Sequence, residues 1–482
     1  MKTKLVTFTL VVFAFALFAR KLEAAPRPNL VVVLVDDLGW MDLSCQGSDY
    51  HRTPNIDRLA AQGLRFTQGY AAAAICSPTR AALMTGRYPA RLGITDWMRM
   101  SFQKESPADP ALPAGYERES YKCVSNPADA LLTPRTPRFM PHSEVTVAEL
   151  LGPAGYRCGY LGKWHLGDEA WTPETQGFHS NAGGGDLGLP PSYFDPYVNP
   201  TWGKDGIRKL PGRRKDEYLT DRLGDEAVKF VEANRDRPFF LYLAHYAVHA
   251  PIQARRDVED GYVGHRGRTQ TNAAYAAMVQ SVDEATGRLV DTIDRLGLAE
   301  RTVIVFTSDN GGEAHYTSNA PLRSGKGHAY EGGVRVPYIV RWPGVIRAGS
   351  TSAQPINSID LLPTLAELAG VALPADRPVD GVSLVAHLRS SGKQPLAPRP
   401  LYWHFPHYRL GGPGPYSIVR SGDWKLIKYW DGPKHELYNL KEDEAEQHDR
   451  AGELSQKVKE LDALLAAHLR TVGARLPQKA VQ

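Results

Sequence analysis

The sequence predicts an α/β chain, with a large mixed sheet flanked by helices followed by a small C-terminal antiparallel sheet plus one helix. Three observations carry that reading. Apolar, β-branched runs recur along the chain and end in polar groups, as strands buried on both faces of a sheet do. Helical segments with their own start and stop signals lie between those runs. From residue 401 onward the pattern changes to short strands and a leucine-striped helix. At 482 residues the chain is too long for one small core, and its 42% hydrophobic and 23% charged residues are those of an ordinary globular protein.

The first residues stand apart. Lys2 and Lys4 precede an uncharged apolar run from Leu5 to Phe18, which Arg20 and Lys21 close. This reads as a secretory signal peptide over residues 1–24, cleaved after Leu22-Glu23-Ala24. A spanning helix would need roughly 20 apolar residues, so no membrane span is expected, and the mature protein is expected in the periplasm or outside the cell. Removing residues 1–24 takes away Lys2, Lys4, Arg20, Lys21 and Glu23, so the formal charge falls from +4 to +1. No basic tract remains that argues for nucleic acid. In an oxidising compartment Cys45, Cys76, Cys123 and Cys158 would suffice for two disulfides, whereas a catalytic Cys76 would leave three cysteines and at most one internal bridge.

The body opens with "NLVVVLVDDLGW", a strand that carries Asp36 and Asp37 at its carboxyl end. In "TPNIDRLAAQG" Thr53 is expected to cap a helix that Pro54 begins and Gly63 ends. Thr146 with Glu149 forms a capping box ahead of the strand-like "YRCGYLGKWH". "PFFLYLAHYAVHAP" and "RTVIVFTSDNGG" are further strands ending in polar residues, which is where open sheets gather their sites. Residues 101–142 and 183–212, rich in Pro, Gly and Tyr, read as long loops of the kind that shape pockets. The expected organisation is a body over 25–388, a linker at 389–400 and a small α+β unit over 401–482. In that unit "YSIVRSGDWKLIKYW" and "HELYNL" are strands, and Leu454, Val458, Leu461, Leu465 and Leu469 line one helix face.

"AAICSPTRAALMTG" supplies the chemistry. Ser77 is expected to cap a helix whose first residue is Pro78, which sets Cys76 at the positive helix end, a good place for a nucleophile attacking an anion. Arg80, one turn in, would add a fixed positive charge.

"CSPTRAALMTG" resembles the signature of the sulfatase family, C-x-P-x-R followed by a short apolar stretch and Thr-Gly, in which the cysteine is oxidised to formylglycine during export. Thr79 stands where serine is commoner. Further blocks follow in family order. Asp36, Asp37, Asp309 and Asn310 match metal ligands, "GKWHLG" contributes Lys163 and His165, "VHAP" contributes His249, and "LRSGKGHAYEGG" contributes Lys326. Singly, paired aspartates, "NG" and lone histidines are ordinary turn and core features; five blocks in order are not.

The resemblance covers nearly all of the mature chain and implies the alkaline phosphatase type of fold. It also implies one divalent cation held by Asp36, Asp37, Asp309, Asn310 and residue 76. That oxygen-rich set suits Ca²⁺ more readily than Mg²⁺. By the same resemblance, a formylglycine-generating enzyme matures Cys76, and the hydrated aldehyde attacks sulfur while Asp309 helps remove its proton. Arg80, Lys163 and Lys326 hold the charge, His249 with Lys326 protonates the leaving oxygen, and His165 takes the second hydroxyl's proton. "LYWHFPHY", with Trp403, His404 and His407, points to a sulfated carbohydrate substrate or else to packing of the small unit. Two other readings stand beside this one: a phosphate or phosphonate monoester hydrolase on the same fold, and a non-catalytic sulfated-glycan-binding protein with Cys76 unmodified.

Overall fold

The structure, a computed structural model, describes residues 27–98, 116–117, 131–210, 214–409, 414–432 and 434–479. The expected signal peptide, Cys123 and much of the 101–142 loop lie outside the described residues. "NLVVVLV" forms strand β1 (Asn29–Val35), every residue of which is buried. The other strands of its sheet are β2 (Leu64–Phe66), β3 (Arg157–Gly162), β4 (Ser180–Ala182), β5 (Phe239–Ala244), β6 (Thr302–Ser308), β7 (Tyr338–Arg341) and β8 (Ser350–Ser352). Their order is β8-β2-β7-β6-β1-β5-β3-β4. β6, β1, β5, β3 and β4 run parallel, while β7 opposes both of its neighbours, so the sheet is mixed.

The unbroken apolar runs follow from burial on two sides. Leu30, Val32 and Leu34 face the layer containing α2 (Cys76–Thr85), α3 (Val147–Leu151) and α6 (Leu361–Ala369). Val31, Val33 and Val35 face α1 (Pro54–Ala61), α4 (Leu219–Asn234) and α5 (Ala273–Arg295). Thr146 and Glu149 form the expected capping box on α3. Thr53 precedes α1 but does not cap it, because its hydroxyl donates to Asp57 and accepts from the Ser44 amide. Asp283 of α5 satisfies the first turn instead, accepting from Ile56 N at 2.7 Å and Asn55 N at 3.3 Å.

The C-terminal strands β9 (Leu401–Phe405), β10 (Tyr416–Ser421), β11 (Trp424–Tyr429) and β12 (His435–Asn439) form an antiparallel sheet in chain order. Leu461, Leu465 and Leu469 of α7 (Ser455–Thr471) cover one face of it, together with Ala82 of α2. Its other face, with Ile418, Ile427 and Trp403, packs on Ala73, Ala74 and Ile75, the turn leading into α2. The aromatic and histidine groups of "LYWHFPHY" are therefore packing groups and not sugar contacts. Trp403 is buried and donates to Ala71 O at 2.7 Å, His404 bridges Ser417 Oγ and Arg475 O, and His407 meets Thr95 Oγ1. Within the stretch expected as a loop, Leu131–Pro134 is a short strand paired with Gln478–Lys479. Cys45, Cys76 and Cys158 are free thiols, so no disulfide joins them. No described helix is long and apolar enough to cross a membrane.

One buried ion cluster ties the small sheet to the body. Lys425 Nζ lies 3.0 Å from Glu331 Oε1 and 2.7 Å from Glu446 Oε1, and all three side chains are at most 1% exposed. Burial, then repulsion from Glu331, pushes the Glu446 carboxyl up to about 7 against the pull of Lys425. Lys425→Met leaves buried Glu446 without its cation and Glu331 with only the looser contact to Arg335, and is expected to cost ~3–5 kcal/mol, read as a lower urea midpoint at unchanged slope. A carboxyl whose folded pKa is raised destabilises the fold progressively as pH rises from its unfolded value toward 7. The Lys425→Met deficit is therefore expected to be larger at pH 8 than at pH 5.

Candidate active site

Parallel strands deliver their carboxyl ends to one edge of a sheet, and here that edge collects the polar residues of four strands. Asp36 and Asp37 follow β1, Lys163 and His165 follow β3, His249 lies on the connection after β5, and Asp309 and Asn310 follow β6. Two backbone bonds, Asp36 N to Ala247 O at 2.9 Å and Val248 N to Asp36 O at 2.7 Å, lock the β1 and β5 exits together. Lys326 arrives on the connection from β6 to β7, held by Lys326 N to Gly312 O at 3.1 Å and Gly311 N to Gly333 O at 3.0 Å. Residue 311 has to be glycine, because a Cβ there would lie 1.8 Å from Gly332 O.

Helix α2 enters from the opposite side. Cys76 is its first residue and Ile75 its N-cap, in extended conformation, so the expected Ser77 cap is corrected. A capping side chain must sit outside the first turn, and Ser77 is already inside it. Its hydroxyl instead donates to His165 O at 2.9 Å and accepts from Met98 N at 3.0 Å, bridging two loops. Thr79, the departure noted in the motif, binds both Ala73 N and Ala73 O at 3.0 Å and closes the turn before Cys76.

Three carboxylates and three cations meet here, all buried. Lys163 Nζ is 2.6 Å from Asp36 Oδ2, Lys326 Nζ is 2.7 Å from Asp37 Oδ2, and Arg80 Nε is 2.8 Å from Asp309 Oδ2. Arg80 also donates to Lys163 O at 2.6 Å and lies 3.6 Å from Asp36. Cys76 Sγ is 3.6 Å from Asp36 Oδ1, and His249 Nε2 is 3.6 Å from Asp37 Oδ2. Asn310 donates to Asp37 Oδ1 at 2.8 Å. The structure thus brings the ten expected residues to one place, with His165 joined through Ser77. The site is least buried at His249 and Lys326, whose side chains are 16% and 9% exposed.

Burial and charge set the protonation states. Burial raises the Asp37 carboxyl, but Lys326, His249 and Lys163 outweigh it and hold the group well below the usual range. Burial and repulsion from Asp36 push Asp309 up to about 6 despite Arg80 and Lys163. The Cys76 thiol is pushed up to about 12, chiefly by burial. Burial and the charges of Lys163 and Arg80 keep His165 neutral. Its Nε2 donates to Met98 O at 2.8 Å, which leaves Nδ1 as a buried lone pair with no partner. Burial and Lys326 bring His249 down to about 3, with Nδ1 donating to Ala250 O at 2.9 Å.

The donor set also fits a divalent cation. Oxygens of Asp36, Asp37 and Asp309 and Cys76 Sγ lie within 4.8 Å of one another, and Asn310 Oδ1 is buried without a hydrogen-bond partner. Carboxylate and amide oxygens suit a hard ion, and a cation would relieve the Asp36–Asp309 repulsion.

Two supports escaped the sequence reading. Tyr193 OH shares its proton between Tyr246 O at 2.7 Å and His249 O at 2.8 Å, and Tyr275 OH donates to Asp42 Oδ2 at 2.6 Å while lying 3.1 Å from Asp37 O. Their signal was faint, being tyrosines in a loop and on an apolar helix face with nothing local to name a partner.

A strand-end site of this composition on this mixed sheet suits a hydrolase of anionic esters. The family model for sulfatases matches residues 28–371, and one described as N-sulphoglucosamine sulphohydrolase, C-terminal, matches residues 325–474. The chain belongs to the sulfatase family, whose members hydrolyse sulfate esters. It is 34% identical to human arylsulfatase A over 86% of this chain and 78% of that one. It is likewise 34% identical to mouse N-acetylgalactosamine-6-sulfatase, over 82% and 72% respectively. Among solved structures it resembles Ps i-CgsB, with 30% identity, TM-score 0.75 and coverage of 92% and 93%; that protein is also known in complex with k-i-k-neocarrahexaose.

Arg80 makes a fork to Asp309 and Lys163 O that an ammonium cannot reproduce. Arg80→Lys is expected to lower kcat/KM for an aryl sulfate by about 100-fold or more, on the scale of losing one preorganised electrostatic group, while circular dichroism stays unchanged.

Proposed function

We propose that this protein is an exported sulfatase acting on a sulfated carbohydrate, with Cys76 in its formylglycine form and one Ca²⁺ held by Asp36, Asp37, Asp309 and Asn310. The body over residues 25–388 would carry the chemistry, and residues 401–482 would back the turn that positions residue 76. The observation that carries the reading is the place of residue 76. Cys76 is the first residue of α2, buried with Sγ 3.6 Å from Asp36 Oδ1 and grouped within 4.8 Å with oxygens of Asp37 and Asp309, beside the ammonium groups of Lys163 and Lys326 that pair with those acids. Oxidised to an aldehyde hydrate, the residue would supply an oxygen nucleophile, and the cation would supply fixed positive charge at the sulfuryl oxygens.

The remaining work falls to side chains already in place. Lys163 and Lys326 neutralise the sulfate, and burial makes each charge count for more than it would in water. Arg80 holds the Asp309 carboxylate at Oδ2, ready to accept a proton. His165, neutral and open at Nδ1, is the base for a second proton. His249 is neutral while it faces Lys326, and an anionic sulfate beside it reverses that balance, so it gains its proton with substrate and returns it to the leaving oxygen. The sugar assignment draws support from a relative named for a sulfated sugar and from the k-i-k-neocarrahexaose bound to Ps i-CgsB.

The first test expresses the protein with a formylglycine-generating enzyme and weighs the tryptic peptide Phe66–Arg80. Loss of one sulfur and two hydrogens with gain of one oxygen is the expected result, and a free thiol or a bridged cysteine would refute the nucleophile. Turnover of 4-nitrophenyl sulfate should exceed that of 4-nitrophenyl phosphate, and the reverse order would select the phosphatase reading. Chelation by EDTA is expected to lower Tm, and excess Ca²⁺ to restore it, since an ion bound only by the folded state stabilises it. His165→Ala is expected to reduce kcat by roughly 10²–10⁴-fold.

A further inference from the structure

Residues 183–210 take no part in the chemistry above, yet they are bound to both histidine segments. His165 N donates to Gly185 O at 2.9 Å, Tyr246 OH donates to Gly183 O at 2.9 Å, and Tyr193 reaches His249 O. Gly188 lies so close to the His165 ring that a Cβ would stand 2.6 Å from it. The same loop, with Arg138, Asp168, Glu169 and Tyr246, lines a cavity of about 480 Å³, within the roughly 300–1,000 Å³ usual for small-molecule sites.

The lining is unusual for a protein surface. Trp202 is 37% exposed, one of few large apolar side chains so exposed among the described residues. Beside it Arg208 Nη1 is held 3.1 Å from Asp168 Oδ2, a paired fork of donors and acceptors. The acids Asp168, Glu169, Asp186 and Asp205 outnumber the cations Arg138, Lys204 and Arg208, so the cavity suits an uncharged polar ligand better than a second sulfate.

Resting on the sulfated-carbohydrate reading, we propose that this cavity is a glycan subsite that holds an uncharged pyranose ring joined to the sulfated sugar. Trp202 is its stacking platform, and the Asp168–Arg208 pair binds its hydroxyls. A pyranose has an apolar C–H face and a rim of hydroxyls, which match an aromatic face and a carboxylate–guanidinium pair. The enzyme then takes its sulfate from a chain in preference to an isolated small ester, and the loop joins chain recognition to both histidine segments.

The test compares wild type, Trp202→Ala and Trp202→Phe on k-i-k-neocarrahexaose, its neocarrabiose unit and 4-nitrophenyl sulfate. Wild type is expected to favour the hexasaccharide over the disaccharide at least tenfold in kcat/KM. Trp202→Ala should lower the hexasaccharide to 4-nitrophenyl sulfate ratio at least tenfold, mainly through KM, with Trp202→Phe recovering most of it. A ratio unchanged within twofold, equal use of both glycans, or no binding of either would overturn the subsite. Failure of the matured wild type on 4-nitrophenyl sulfate strikes the sulfatase reading instead. Calorimetric titration of the hexasaccharide then decides the subsite alone: tenfold weaker binding to Trp202→Ala upholds it, and no binding or equal binding overturns it.

Discussion

Burying three carboxylates at the ends of β1 and β6 is the constraint on which the rest of the structure depends. Each charge removed from water costs several kcal/mol unless a partner compensates it, by the order of magnitude known for buried ions. Asp36 has Lys163, Asp37 has Lys326 and Asp309 has Arg80, and each cation comes from a different segment. Loops that would otherwise be independent are thus pinned to one point. Burial and Asp36 leave Asp309 raised against the pull of Arg80 and Lys163, and burial with the nearby cations keeps His165 and His249 neutral, so the surroundings that force the pairing also set the protonation states.

The small C-terminal sheet belongs to this arrangement. Its inner face supports Ala73–Ile75, the turn that presents Cys76, and Trp403 fixes Ala71 O. Lys425 reaches Glu331, five residues beyond Lys326, and Glu446 accepts from the Glu331 amide at 2.6 Å. Both the Cys76 turn and the Lys326 loop therefore lean on one unit.

Much of the fold was legible because its signals are local. β1, β3, β5 and β6 are apolar runs ending in polar residues, and the Thr146–Glu149 box lies within four positions. Misreadings arose where a local signal had a distant competitor. Thr53 looked like a cap until Asp283 supplied the oxygens, and Ser77 was displaced by Ile75 because the extended residue lies one step before the cysteine. Trp403, His404 and His407 stayed open between sugar contact and packing because a strand motif does not say which of its faces is covered; burial decided for packing.

The sequence by itself determined the chemistry available at the site: the acids at two strand ends, the cysteine at a helix start, and the lysines and histidines in their blocks. Those features depend on neighbours a few residues away, within reach of periodicity and turn signals. Only the tertiary structure decided which cation meets which carboxylate, which histidine nitrogen stays open, and that the Tyr193 loop joins His165 to His249. Asp36 and Lys163 lie 127 positions apart, Arg80 and Asp309 229, and Asp37 and Lys326 289. Over such separations, pairing is set by the register of the parallel strands and by burial, which remove water as the alternative partner for every charge.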